Sequence, residues 1–241
     1  MTHPTIGITV DNLDNDAKSG VYQSAVRYSR AVARAGGLPV LLPHEVELAG
    51  EYVERCEGLI LTGGGDPAME QFGCATDGRA RRIDQRRQAF ELALLHAVDT
   101  RRAASLNPNA DTPVLGVCLG MQLMALHHGA TMDQYMPESM GTDRAALHTD
   151  NATHPLRFEH HDSVLPGGTG SVVSSHRQRI TDAGRLRTVA RADDGTIEAI
   201  DDPARAFYLG VQWHPERADS AEDDALNLGL IKRFVEAAAA R

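Results

Sequence analysis

The sequence predicts an α/β fold: a mostly parallel β-sheet flanked by helices, with a small antiparallel addition in the C-terminal half. Three features of the 241-residue chain carry this expectation. Short strand-like runs alternate with segments of helical apolar spacing as far as His128, the order that builds a parallel sheet with right-handed crossovers. The strand runs lack in/out alternation, as expected where helices cover both faces. Beyond His128, brief strand-like runs follow one another between turn residues, which is the pattern of antiparallel pairing.

Taken in order, Thr5-Ile-Gly-Ile-Thr-Val10 is β-branched and reads as the first strand. Val21, Ala25, Tyr28, Val32 and Ala35 have helical spacing, which stops at Gly36-Gly37. Leu38-Pro-Val-Leu-Leu42 is a second strand, Val46 to Arg55 a helix, and Gly58-Leu-Ile-Leu61 a third strand that runs into Thr62-Gly-Gly-Gly-Asp-Pro67. Met69 to Arg82 is polar and reads as loop. Asp84 is placed to cap a helix that reaches about Val98, with Phe90, Leu94 and Ala97 on one face, and Arg101 to Asp111 reads as a polar loop. Pro113 to Val117 is a buried strand, and a helix from Leu119 to about His128 follows after a single residue.

Asp133 to His154 has no period and is expected to be a lid or substrate loop. Leu156-Arg-Phe158, Ser171-Val-Val173, Thr188-Val-Ala190 and Thr196 to Ile200 read as short strands, with turns at Pro166-Gly167-Gly168 and Asp193-Asp194-Gly195. Phe207 to Trp213 is a further strand ending in His214-Pro-Glu216. Asp223 to about Ala240 is helical, with Leu226, Leu230, Phe234 and Val235 facing inward. No repeat, low-complexity tract or linker interrupts the pattern, so residues 1–241 read as a single domain.

Composition narrows the function classes. The net charge of −9, from 24 Lys and Arg against 33 Asp and Glu, argues against nucleic acid or an anionic membrane as main partner. No run reaches the roughly 18 apolar residues of a membrane span. The first residues lack the basic and apolar regions of a signal peptide. Three sparse cysteines, Cys56, Cys74 and Cys118, suit a reducing compartment better than a disulfide framework. A cytoplasmic location is expected.

The chemistry centres on Cys118. Gly116 and Gly120 flank it two residues away on either side, between a strand and a helix. This is the layout of a nucleophile elbow with cysteine in place of serine. The free N–H groups of the helix start favour an anionic sulfur. A lone cysteine after an apolar run is more often inert core, so further pieces are needed. His214 follows a buried strand, where a parallel sheet gathers its functional groups, and Glu216 is placed to orient it. Thr62-Gly-Gly-Gly-Asp66 lacks the lysine of a phosphate loop. It is either a plain tight turn or the source of a glycine N–H that joins the Leu119 N–H in an oxyanion hole. The pairs His127-His128 and His160-His161 have no ligand spacing that completes a metal set, and no metal is expected.

Gly-Val-Cys118-Leu-Gly-Met-Gln followed by Val-Gln-Trp-His214-Pro-Glu216 closely resembles the class I glutamine amidotransferases. Tyr28 with Ala-Gly-Gly-Leu-Pro-Val-Leu-Leu-Pro43, Leu61-Thr-Gly-Gly-Gly-Asp66, Phe90-Glu-Leu-Ala-Leu94 and Ser174-Ser-His-Arg-Gln178 narrow the resemblance to the γ-glutamyl-γ-aminobutyrate hydrolase (peptidase C26) group. The resemblance implies a flavodoxin-like sheet and hydrolysis of a small γ-glutamyl amide through a thioester on Cys118, with His214 and Glu216 as partners. It gives the oxyanion to the Leu119 N–H and a glycine N–H, Gly64 or Gly65, and places Gln122, Ser175 and His176 near the glutamyl end of the substrate. It implies no metal or organic cofactor, and leaves a homodimer open. A glutaminase subunit serving a separate synthase, and a binding protein on a retired fold, are the alternatives. Leu119 stands where the hydrolase family usually has arginine, Gln88 where it often has aspartate, and Arg177 where it has a second histidine. These departures bear on the leaving-group pocket and leave the three catalytic candidates untouched.

Overall fold

The computed structural model describes residues 3–12, 20–105, 111–160, 162–165, 170–217 and 225–241. The first half alternates as expected. β1 (Thr5–Thr9) leads through a short hairpin of β2 (Asp11–Asn12) and β3 (Tyr22–Gln23) to α1 (Val26–Arg34). β4 (Leu38–Leu42), α2 (Ala49–Arg55), β5 (Gly58–Leu61), α3 (Gln85–Ala104), β6 (Val114–Val117) and α4 (Leu119–His127) follow. Then come β7 (Thr131–Asp133), α5 (Met136–Ser139), α6 (Thr142–Ala146), β8 (Ala152–Pro155), β9 (Arg157–Phe158), β10 (Ser171–Ser174) and β11 (Arg179–Asp182). β12 (Arg187–Arg191), β13 (Ile197–Asp201), β14 (Tyr208–Val211) and α7 (Leu228–Ala239) complete the chain.

The eight-stranded central sheet has the order β4-β1-β5-β6-β14-β13-β12-β9. Pairing is parallel from β4 through β14 and antiparallel from β14 outward. The antiparallel addition thus extends the main sheet, with small ladders β10-β8 and β11-β7 beside it. Both faces are covered, and residues along one strand divide between them. Ile60 packs in the core with α1 and α7, whereas Leu59 and Leu61 pack with α2, α3 and α4. All four residues of β5 and of β6 are therefore buried, which explains the absence of alternation in the sequence. No helix of the described residues is long and apolar enough to cross a membrane.

Several expectations need correction. The helix predicted from Val21 starts only at Val26, because Tyr22 and Gln23 pair with Asp11 and Asn12; Val21 is exposed. Val46–Leu48 is a 3-10 turn ahead of α2. Asp84 caps α3 as expected, accepting from the Arg86 N–H at 2.8 Å, but the helix continues past Val98 into the predicted loop, to Ala104. Arg101 and Arg102 are good helix formers and suit the negative end of the dipole. The expected loop from Asp133 to His154 contains α5, α6 and β8, and is ordered by contacts with distant segments such as the β8–β10 ladder. β11 gave no recognisable strand signal in the sequence. The turn at Pro166-Gly167-Gly168 and the start of the last helix at Asp223 lie outside the described residues.

Gly116 and Gly120 let α4 press against the sheet. A Cβ on Gly120 would overlap the Leu61 carbonyl, lying 2.7 Å from its carbon, and one on Gly116 would lie 2.7 Å from the Gly120 carbonyl carbon. Helix propensity favours alanine over glycine by about 1 kcal/mol, whereas overpacking costs about 1–3 kcal/mol and more against rigid backbone. The clash should win: Gly120→Ala is expected to lower the melting temperature by several degrees, which thermal denaturation against wild type checks.

Candidate active site

Cys118 is the one residue between β6 and α4, with φ 52° and ψ −102°. A non-glycine residue at positive φ is uncommon, and strain of this kind clusters at active sites. The turn holds because the Cys118 N–H donates to Val211 O (2.8 Å) and the Gln122 N–H to Cys118 O (3.1 Å). The sulfur then stands at the carboxyl edge of the sheet and at the N-terminus of α4.

β14 lies directly beside β6, with Val117 opposite Val211, so the residues that follow β14 emerge next to Cys118. His214 is buried and its backbone N–H donates to Val173 O (2.9 Å). Its Nδ1 lies 2.8 Å from Glu216 Oε1. Burial pushes the imidazole pKa down, but the charge and hydrogen bonding of Cys118, with the Glu216 carboxylate, outweigh it and raise it to about 9. The structure thus brings Cys118 and the His214–Glu216 pair to the same edge of the sheet. Gln212 joins them: its Nε2 lies 3.5 Å from Cys118 Sγ, and its Oε1 accepts from Gln122 Nε2 at 3.2 Å. The sequence signal for Gln212 is a single glutamine within the otherwise apolar run Phe207 to Trp213.

The glycine turn reaches the same place. The Gly63 N–H donates to the Tyr28 hydroxyl at 2.8 Å. Among the described residues, no acceptor engages the N–H of Gly64, Gly65 or Leu119. Gly64 lies close to α4, since a Cβ there would stand 2.8 Å from Leu119 Cδ2 and 2.6 Å from Arg87 Nη1. The Leu119 side chain is turned into an apolar cluster with Ile83 and Leu123, so its departure from arginine leaves only its backbone at the site.

Arg87, fully buried on α3, ties this turn down. Its Nη2 donates to Thr62 O (2.9 Å), Thr62 Oγ1 (2.9 Å) and Gly63 O (3.1 Å), while Nε pairs with buried Glu91 at 2.8 Å. Sequence reasoning missed it, because an arginine on a helix normally marks a solvent face. Gln88 is also structural: its amide exchanges two hydrogen bonds with the Ala68 backbone, at 2.7 and 2.8 Å. An aspartate there could not donate to the Ala68 carbonyl.

A cavity of about 580 Å³ opens over Cys118, with Gly64, Gln122, Ser175, His176 and Arg177 among its walls. Its lining carries Arg79, Arg81 and Arg177 against Asp66 and Asp150. A second cavity, about 520 Å³, shares Gly64 and Ser175 and reaches His214 and Glu216 from the other side. A larger cavity, about 640 Å³, between Asp99, Asp111 and Arg205 lies at the opposite end of β6 and β14 and has no cysteine in its lining. His176 borders the first cavity, yet its ring nitrogens turn away, Nδ1 to Gln178 O (2.8 Å) and Nε2 towards Glu198 (3.5 Å). His127 and His128 diverge to Asp99 and Tyr208. Cys56 is buried, which pushes its thiol up to about 11, and Cys74 is exposed; neither is near the site.

Comparison with known proteins is decisive for the family. The peptidase C26 profile matches residues 4–216. The chain belongs to the peptidase C26 family. A Mycobacterium tuberculosis protein described as a candidate glutamine amidotransferase is 30% identical, over 98% of this chain and 75% of its own length. The γ-glutamyl-γ-aminobutyrate hydrolase of Escherichia coli is 26% identical, over 98% of this chain and 94% of its own. The crystal structure of a glutamine amidotransferase from Thermotoga maritima superposes with a TM-score of 0.57 at 13% identity, covering 90% of this chain and 77% of that one, and supports the shared fold. Family membership makes the protein a hydrolase of the glutamine amidotransferase-like type.

Because Cys118 heads the causes that raise His214, removing the sulfur should leave burial, which acts downward, much less opposed. The His214 imidazole is expected to titrate near 9 in the wild type and well below that in Cys118→Ala, measured by histidine-selective NMR across pH.

Proposed function

We propose that the protein cleaves the γ-glutamyl amide bond of a small γ-glutamyl compound, of the γ-glutamyl-γ-aminobutyrate kind, through a thioester on Cys118. The observation that carries this reading is Cys118, at a strained strand–helix turn facing a cavity, beside His214, which Glu216 holds. The Cys118 thiolate attacks the side-chain amide carbonyl. The oxyanion is received by the Leu119 N–H and a glycine N–H. Gly64 is preferred over Gly65, because Gly65 packs on the Arg81 backbone. His214 protonates the departing amine as the carbon–nitrogen bond breaks. It then takes a proton from water, which attacks the thioester and releases glutamate and the thiol. Glu216 keeps the imidazole in the required tautomer and stabilises its cation.

The mixed charge of the cavity supports a γ-glutamyl end, which carries an α-ammonium and an α-carboxylate together. Gln122 and Ser175 are the groups proposed to meet that end. His176 contributes wall rather than ring nitrogens. The scheme draws every proton and electron pair from these residues, the substrate and water, and so needs no cofactor.

A mass-spectrometric screen of glutamine, γ-glutamyl-aminobutyrate, γ-glutamyl peptides and polyglutamates tests the reading. Wild type is expected to release glutamate from at least one of them, with a covalent γ-glutamyl adduct on Cys118. Cys118→Ala should fold normally and show no turnover, and hydrolysis retained in that variant would overturn the mechanism. Arg87→Lys keeps the charge but loses the planar set of donors holding Thr62 and Gly63. A misplaced oxyanion donor can lower rate by about 10²-fold, so kcat is expected to fall by that order with KM little changed. Steady-state kinetics on the substrate found in the screen provide the check.

A further inference from the structure

Behind the wall of the Cys118 cavity lies a second polar cluster that the hydrolytic scheme does not use. Glu198 on β13 is fully buried, and among the described residues neither of its oxygens has a hydrogen-bond partner. Three buried histidines surround it. His148 Nδ1 lies 3.2 Å, His176 Nε2 3.5 Å and His154 Nε2 3.6 Å from Glu198 Oε1. His148 Nδ1 and His176 Nε2 are likewise without hydrogen-bond partners. A buried carboxylate left in this state is strongly unfavourable unless something positive sits among the group.

The outer nitrogens explain what that something is. His148 Nε2 lies 2.9 Å from Asp194 Oδ2, His154 Nδ1 3.1 Å from Pro155 O, and His176 Nδ1 2.8 Å from Gln178 O. With the ring protons on these outer nitrogens, the inner nitrogens present lone pairs; a protonated His148 donating to both Glu198 and Asp194 is the metal-free alternative. The interior is then a ring of acceptors around one carboxylate. A histidine whose second nitrogen donates to a carboxylate or a backbone carbonyl is the usual arrangement of a metal ligand. The Glu198 distances agree: metal–ligand bonds of about 2.0–2.1 Å in a tetrahedron put neighbouring ligand atoms about 3.3–3.4 Å apart, against 3.2 and 3.6 Å from Glu198 Oε1 to His148 Nδ1 and His154 Nε2. One ligand atom from each of His148, His154 and Glu198 lies within 4.8 Å of the others. Charge agrees as well, since a divalent cation balances the two carboxylates of Glu198 and Asp194.

We infer that His148, His154 and Glu198 bind a divalent transition-metal ion of zinc's class, with His176 facing the same carboxylate from 3.5 Å. The set is closed by burial, so the ion is structural. It joins the segment after α6, β8, the segment after β10 and β13. Two of these segments carry Thr149, Asp150, Ser175 and Arg177, which line the Cys118 cavity. The ion therefore pins the wall of the substrate site from behind. The Ser174 hydroxyl, 2.8 Å from His154 Nε2, competes for that lone pair without the ion and turns aside when it binds. Adjacent histidines were the sequence clue to metal, and the four groups here are scattered along the chain.

Elemental analysis of the purified, untagged full chain tests the inference. About one equivalent of zinc per chain is expected, retained in Cys118→Ser and lost in the double variant His148→Asn/His154→Asn. Should that variant not fold, the wild type decides. Dialysis against a chelator should lower its melting temperature by several degrees, and added zinc should restore it. Cobalt replacement should give tetrahedral visible bands without thiolate charge transfer. Two results overturn the inference: no metal in the purified chain with no thermal shift on adding zinc, manganese or ferrous ions, or metal that is lost in Cys118→Ser instead.

Discussion

The parallel pairing of β6 with β14 is the contact on which the rest depends. It sets Val117 beside Val211, so that the residues leaving the two strands must emerge together at one edge of the sheet. Cys118 comes immediately after one strand, and Gln212, His214 and Glu216 soon after the other. The N–H of Cys118 is itself part of this pairing, through Val211 O, so the strained turn and the strand contact support each other.

Around that contact, buried polar groups do the positioning. Arg87 holds the glycine turn by its carbonyls, and Glu91 beneath it supplies the opposing charge. Gln88 binds the same loop further along, at Ala68. A charge taken out of water is tolerated only when it is fully engaged, and a group so engaged has little freedom. This gives the turn a defined place against α4. The buried His148, His154 and Glu198 cluster behind the opposite wall of the cavity. The cavity over Cys118 is thus backed by two buried polar assemblies, anchored on α3 on one side and on β8 and β13 on the other.

Much of the fold was legible because it is periodic or punctuated. The apolar runs of β1, β5, β6 and β14, the glycines at 36 and 37, and the Asp84 cap each act through residues close in the chain. The elbow was legible for the same reason, since Gly116, Cys118 and Gly120 meet within one turn. The errors arose where distant contacts overrode local pattern. Tyr22 and Gln23 pair with Asp11 and Asn12 although Val21 to Ala35 has helical spacing. The stretch from Asp133 to His154 has no period because its short elements are set by their neighbours in space.

By itself, the sequence determined the α/β class, the nucleophile turn and the identity of the three side chains expected to work together, because each leaves an imprint over a few adjacent residues. The tertiary structure alone decided that β13, β12 and β9 extend the main sheet, that Arg87 faces inward, that the His176 ring nitrogens turn away from the cavity, and that His148, His154 and Glu198 converge. These depend on pairings between segments far apart in the chain, where the energy comes from burial and mutual hydrogen bonding, and such pairings leave no spacing to read along the sequence.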